Sequence, residues 1–88
     1  HGGASVVLAE TLGSFAAALH GGPEKVPVGI EINATHHRSA TSGHVTGTAT
    51  AITLGRTLAT YEVVIVDDEG ARLCTSRITC LLRDRPGA

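Results

Sequence analysis

The sequence predicts an α+β fold in which one long apolar helix is followed by a long antiparallel sheet that curls around it. Three features carry this. Almost every residue from 4 to 20 is small or apolar; four later runs alternate apolar and polar residues with period two; and the connections between the last three runs are short. Period 3.6 against period two separates helix from strand, and tight connections imply antiparallel neighbours.

The helix is expected over residues 4–20. Gly2 and Gly3 lead into it, and Gly21, Gly22 and Pro23 end it as a glycine cap followed by proline should. Seventeen residues make a helix of about 25 Å. Being apolar on nearly all sides, it is expected to be surrounded rather than laid on a surface.

In the first strand, residues 28–38, Val28, Ile30, Ile32 and Ala34 are expected on one face and Glu31, Asn33 and Thr35 on the other. In the second, residues 43–54, Val45, Gly47, Ala49 and Ala51 alternate with His44, Thr46, Thr48 and Thr50. Ala59, Tyr61, Val63 and Ile65 mark the inner face of the third, and Cys74, Ser76, Ile78, Cys80 and Leu82 that of the fourth. Leu54-Gly55-Arg56 reads as a tight bend and Asp67-Asp68-Glu69-Gly70 as a turn. These strands exceed the usual five or six residues. A long antiparallel sheet wrapped around one central apolar helix is the hotdog fold, and all 88 residues read as one such domain.

Composition narrows the function classes. A domain this small buries only about 60–65% of the surface its unfolded chain exposes, so association with further copies is expected. A net charge of −1 and aromatics limited to Phe15 and Tyr61 leave no basic field or stacking platform for nucleic acid. No apolar run approaches the roughly 20 residues of a membrane span, so no membrane partner is expected and a cytoplasmic protein is. Cys74 and Cys80 stand six residues apart on one strand, roughly 20 Å, too far for a disulfide. They read as reduced thiols in the core, as a reducing compartment would keep them.

Glu10 interrupts the apolar helix. A lone carboxylate there is ordinarily a solvated flank, but Ser14 stands one turn on and shares its face. Gly2 and Gly3 stand at the helix N-terminus, where backbone N–H groups favour an oxyanion. A carboxylate and an oxyanion hole are the minimum equipment for acyl transfer. Gly2 and Glu10 are eight residues apart, about 12 Å along one helix, so the two reach one carbonyl only from different subunits.

HGGASVVLAETLGS, with GIEINATHHRSATSGHVTG and GARLCTSRIT after it, resembles the hotdog-fold acyl-CoA thioesterases. The branch is that of the Arthrobacter-type 4-hydroxybenzoyl-CoA thioesterases, the phenylacetate-pathway (PaaI) thioesterases and the 1,4-dihydroxy-2-naphthoyl-CoA thioesterases of menaquinone synthesis. The resemblance is closest to the last group and its aryl-carrier-protein proofreading relatives, and covers almost the whole chain. It implies that Glu10 attacks the thioester or activates water as general base. It further implies that the Gly2 N–H polarises the carbonyl, that His1 lines the site and that Ser14 positions the carboxylate or the water. It also implies a homodimer or homotetramer with active sites at the subunit interface. Family members carry a further helix, strand and glutamine ahead of this histidine, so the chain is expected to lack upstream residues of a longer protein.

The remaining polar residues are candidates for the substrate's coenzyme A. Arg38 and Ser39 at the end of the first strand, and Arg56 and Thr57 after the Gly55 bend, suit phosphate oxygens, with Arg38 and Ser39 ranked first. Adjacent His36 and His37 point to opposite faces of a strand, and no metal site is expected. No cofactor is expected, coenzyme A being part of the substrate. The reading is hydrolysis of an aromatic acyl-CoA to the acid and free coenzyme A. The alternatives are proofreading of a misacylated aryl carrier protein and a non-catalytic hotdog protein that binds acyl-CoA. A dehydratase of this fold is disfavoured because no His and Asp pair is suitably placed.

Overall fold

The computed structural model of the chain describes residues 2–39 and 43–87. Helix α1 (Gly2–Gly21) is followed by strands β1 (Lys25–His36), β2 (Thr46–Leu54), β3 (Leu58–Val66) and β4 (Arg72–Asp84). The strands form one antiparallel sheet in the order β1-β4-β3-β2, and α1 contacts all four. This is the hotdog arrangement that the helical run and the period-two runs predict.

The helix begins two residues earlier than predicted, so Gly2 and Gly3 belong to its first turn. Glycine's poor propensity is a weak prior that packing overrides. At the other end Gly22 adopts φ +78° and its N–H donates to the Ala18 carbonyl at 3.1 Å. This left-handed cap stops the helix where the sequence places its end.

β3 and β4 bear out the alternation. Ala59, Tyr61, Val63 and Ile65 point inward, as do Cys74, Ser76, Ile78, Cys80 and Leu82, and none of the nine is more than 4% exposed. Burying each of the larger aliphatic side chains contributes roughly 1.5–3 kcal/mol, so these two central strands carry the core. The buried Ser76 hydroxyl donates to the Asn33 carbonyl at 2.7 Å, which removes the cost of an unsatisfied polar group.

β1 departs from the prediction. Gly29 pairs with Cys80 and Glu31 with Thr79, leaving Ile30 as the extra residue of a bulge. One added residue inverts the phase of everything beyond it. Residues opposite the inward positions of β4 are therefore Pro27, Gly29, Ile32 and Ala34, while Val28 lies opposite Leu81 on the outer face. Val28 and Ile30 do not share the inner face with Ile32 as expected, and Ile30 is 54% exposed. Further register shifts fall between Ala51 and Thr53 and between Ile65 and Val66 on the pairing with β4. Such irregularities bend and twist a sheet, which supplies the curl of this one.

The helix is not enclosed on all sides. Ala9 and Ala17 are fully buried against the sheet, while Val7, Phe15 and Leu19 on the opposite flank are 64%, 65% and 71% exposed. Two glycines set the close approach. A Cβ on Gly13 would run into the Ile78 side chain, and one on Gly47 into Leu12. By length and composition, residues 3–21 are also apolar enough to cross a membrane, against the expectation that no run approaches a span. Its contacts with every strand make it the core helix of the fold.

The turns follow the sequence signals. The Asp67 carboxylate accepts from the Glu69 N–H at 3.0 Å and the Ala71 N–H at 2.9 Å, and Gly70 takes φ +82°. The Gly55 N–H donates to the Leu58 carbonyl at 2.8 Å, closing the bend between β2 and β3. The β1 to β2 connection instead carries the chain from one sheet edge to the other, and residues 40–42 within it lie outside those described.

Candidate functional site

Glu10 sits midway along α1, exposed, on the flank that faces β1. Its Oε2 lies 3.2 Å from where a Cβ on Gly29 would stand, so the carboxylate rests directly over the bare backbone of that strand. Glu10, Gly29, Ile30, Glu31, Ile32 and Ile78 line a cleft of about 220 Å³. Its walls are mostly aliphatic. Glu31 at the rim is held by Arg77 at 3.5 Å and by Asn33 at 3.3 Å, which leaves Glu10 as the carboxylate that faces the cleft from the helix.

Ser14 is half-buried one turn along from Glu10 and lies near the fully buried Cys80. Burial pushes the Cys80 thiol up from its ordinary value of 9.0, the nearby Ser14 hydroxyl pulls it partly back, and the charge of Glu10 adds to the rise. The thiol therefore stays protonated near neutrality. Glu10, Ser14, Gly29 and Cys80 form one constellation where α1 crosses β1 and β4.

The other predicted site residues lie elsewhere. Gly2 is in the first turn of α1, eight residues before Glu10 and thus about 12 Å away. His1 lies outside the described residues. The backbone N–H groups of His37 and Arg38 donate to the Leu73 carbonyl at 2.7 and 3.4 Å, which puts Arg38 and Ser39 at the end of the sheet near the start of α1. Thr57 instead accepts from the Leu82 N–H at 2.7 Å. Leu73 and Leu82 are nine residues apart on β4, so Arg38 and Thr57 are separated by roughly 30 Å. One protomer does not bring both pairs to one phosphate.

Arg56 belongs to a larger cleft of about 540 Å³ beside the end of α1, lined also by His20 and Lys25 and by the apolar Leu54 and Leu82. His20 Nε2 is 2.8 Å from the Gly55 carbonyl, and Lys25 is paired with Asp84 at 2.6 Å. The pairing holds the Asp84 carboxyl below its ordinary 3.8. His37 is engaged with the Thr75 hydroxyl at 2.8 Å. Among the described residues, no three His, Cys, Asp or Glu side chains converge as a metal-ligand set.

Comparison with known proteins identifies the family that this helix and sheet belong to. The sequence profile of the Thioesterase superfamily matches residues 1–74. The chain belongs to the thioesterase superfamily. Among curated members it is 49% identical over 78 residues to the proofreading thioesterase EntH of Klebsiella pneumoniae, an alignment that covers 89% of this chain and 57% of that protein. It is 48% identical over 79 residues to the protein of the same name from Cronobacter sakazakii, with 90% and 58% covered. The chain thus spans less than two thirds of the length of these thioesterases. Among solved structures, thioesterase HI1161 of Haemophilus influenzae superimposes with a TM-score of 0.94 at 41% identity, covering all of this chain and 63% of that one. A mutant of thioesterase PA1618 of Pseudomonas aeruginosa superimposes with a TM-score of 0.93 at 44% identity, covering 97% and 62%.

Two members of the site in this thioesterase-superfamily chain escaped sequence reasoning. Gly29 carried a signal, since glycine inside a strand marks a bulge or a close approach. Cys80 carried none, because an inward thiol on a central strand reads as packing.

Proposed function

We propose that the protein hydrolyses aromatic acyl thioesters carried on a phosphopantetheine arm, with Glu10 acting at the thioester carbonyl. The observation that carries this reading is the Glu10 carboxylate set over Gly29 in an aliphatic cleft, with the Ser14 hydroxyl one turn away. As a base, Glu10 takes a proton from water while the water oxygen bonds to the carbonyl carbon. Collapse of the tetrahedral adduct breaks the C–S bond and releases the acid and the thiol. As a nucleophile, the carboxylate adds to the carbonyl and expels the thiolate, breaking the C–S bond to leave an anhydride, which water then opens to the acid and the free Glu10 carboxylate.

The oxyanion partner in this reading is the Gly2 N–H, with His1 beside it, from a second subunit. The 12 Å between Gly2 and Glu10 on one helix requires it. A homodimer or homotetramer with sites at the interface is therefore part of the proposal, as is a soluble, cytoplasmic enzyme without a cofactor. Phosphates of the arm are assigned to Arg38 and Ser39, or to Arg56 and Thr57. Their separation means that a bound arm draws on one pair, or on the two pairs from different protomers.

Two curated relatives are named proofreading thioesterases, which favours a misacylated aryl carrier protein as the substrate over free aroyl-CoA. Hydrolysis of free aroyl-CoA of the hydroxybenzoyl or dihydroxynaphthoyl kind is the second reading, supported by the compact cationic cleft at Arg56, which suits a nucleotide phosphate. The deciding experiment measures thiol release from benzoyl-CoA and from the same acyl group on an aryl carrier protein, with Glu10→Ala alongside. Turnover of either substrate that falls a hundredfold or more in the variant, as expected for loss of a base or nucleophile, supports the proposal. The ratio of kcat/KM for the two substrates ranks the readings. Absence of turnover on both overturns it in favour of a non-catalytic acyl-thioester binder.

A further inference from the structure

Ile30 is the residue that β1 leaves out of its ladder. Gly29 pairs with Cys80 and Glu31 with Thr79. Among the described residues β1 is an edge strand whose neighbour is β4, so Ile30 faces no partner across the sheet. Its side chain is 54% exposed. An exposed isoleucine by itself needs no explanation. This one stands next to Gly29, over which the Glu10 carboxylate rests, and it lines the same cleft as that carboxylate. Bulges are frequent beside active sites, where they re-aim a side chain.

The size of the cleft says which part of a substrate meets that side chain. Its volume of about 220 Å³ falls short of the roughly 300–1,000 Å³ that encloses a whole ligand, so it takes the reacting end of a thioester. In an aroyl thioester the ring is bonded directly to the reacting carbon, so the walls around Glu10 are the walls the ring meets. The aliphatic ones are Ile30, Ile32 and Ile78. Ile78 is fully buried, and Ile32 pairs with it across the ladder and packs against the core, so neither changes size without disturbing that packing. Ile30 is free of the constraint. We propose that Ile30 is a specificity-determining residue that sets how large an acyl ring the Glu10 site accepts. The inference rests on the assignment of Glu10 as the reacting carboxylate and deepens it. Isoleucine is branched at Cβ and stiff at χ1, which makes it a wall of defined depth rather than one that yields.

The test compares benzoyl with the larger naphthoyl group, each carried on coenzyme A and on an aryl carrier protein, in the full natural chain. Ile30→Ala is expected to raise the naphthoyl to benzoyl ratio of kcat/KM about tenfold, the low end of what a change of size in a hydrophobic pocket commands. Ile30→Phe is expected to lower the ratio by a similar factor. Ile30→Val gives the same direction as alanine, with a smaller shift, if the alanine variant does not fold. Val28→Ala is the control, since Val28 lies opposite Leu81 on the outer face, and it should leave the ratio unchanged. A wild-type ratio in the Ile30 variants, or an equal shift in Val28→Ala, would overturn the inference. Glu10→Ala separates its failure from that of the parent assignment. Loss of turnover in Glu10→Ala with unshifted ratios at Ile30 removes only the specificity role. Turnover retained in Glu10→Ala, or absent from the natural chain on every probe, removes the assignment beneath it.

Discussion

Gly29 and Glu10 face one another across the junction of β1 and α1, with room for a Cβ only 3.2 Å from the carboxylate oxygen. That distance is tighter than ordinary van der Waals contact, so a methyl group there shifts the carboxylate by a few tenths of an ångström. Since misplacement by about 1 Å costs roughly a hundredfold in rate, Gly29→Ala is expected to reduce kcat by about three- to tenfold. Thermal melting should move little, because Glu10 is exposed and its end is free to swing. Steady-state kinetics beside a melting curve check both halves of this expectation.

Gly13 gives the opposite pattern. In an exposed helix, Gly→Ala stabilises by about 1 kcal/mol, but here the added methyl would overlap the Ile78 side chain. Overpacking of this kind costs about 1–3 kcal/mol, so Gly13→Ala is expected to destabilise. Shortening the obstacle in Gly13→Ala/Ile78→Val should recover part of the loss. Denaturant titration of the three variants reads the sign directly, and a stabilised Gly13→Ala would show that the helix sits further from β4 than described.

Alkaline pH is expected to destabilise the fold. Burial raises the Cys74 and Cys80 thiols from 9.0 and the Tyr61 phenol from 10.0. Above pH 9 the unfolded chain releases these protons while the native chain retains them, so the native state binds more and stability falls as pH rises. Melting temperatures should be flat from pH 7 to about 8.5 and decline beyond it. Cys74→Ala should lower stability at pH 7 yet flatten that decline, and an unchanged slope would assign the loss to other groups.

Arg38 and Arg56 lie at opposite ends of the sheet, so substitution separates their roles. A charge-assisted bond to phosphate is worth roughly 1.5–3 kcal/mol, and Arg38→Ala is expected to raise KM for aroyl-CoA about tenfold or more with little change in kcat. Arg56→Ala should do likewise only if the cationic cleft receives a phosphate in the assembled protein. Kinetics of the two single variants and the double variant, repeated at raised salt, decide between one pair and both.

Much of this molecule is legible in its sequence, and the parts that are not share a cause. The helix, the four strands and the inward faces of β3 and β4 follow from periodicity because those strands are central and packed by one face. β1 is misread because Ile30 is apolar in a bulge: periodicity places it inside, and only the pairing partner across the ladder shows that it is outside. The same bulge sets Gly29, rather than Val28, beneath Glu10, so the part of the site supplied by β1 is hidden by the error. The face shared by Glu10 and Ser14 is readable because i and i+4 meet on any helix. The close approach of Gly13 to Ile78, 65 positions apart (78 − 13), is set by how α1 crosses β4 and has no local signature.

The strand order also dictates a timetable for synthesis. β1 precedes β2 and β3 in the chain, yet its hydrogen-bonded neighbour is β4, and the Lys25 to Asp84 contact spans 59 positions. As the chain leaves the ribosome, β2 and β3 meet through a short bend while β1 waits with its ladder unmade. Contacts of such long range slow folding, since loop closure must precede their reward. The wall that Gly29 offers to Glu10 is thus among the last parts of the nascent molecule to form, and a chain stalled before β4 carries the helix and its carboxylate without a finished cleft.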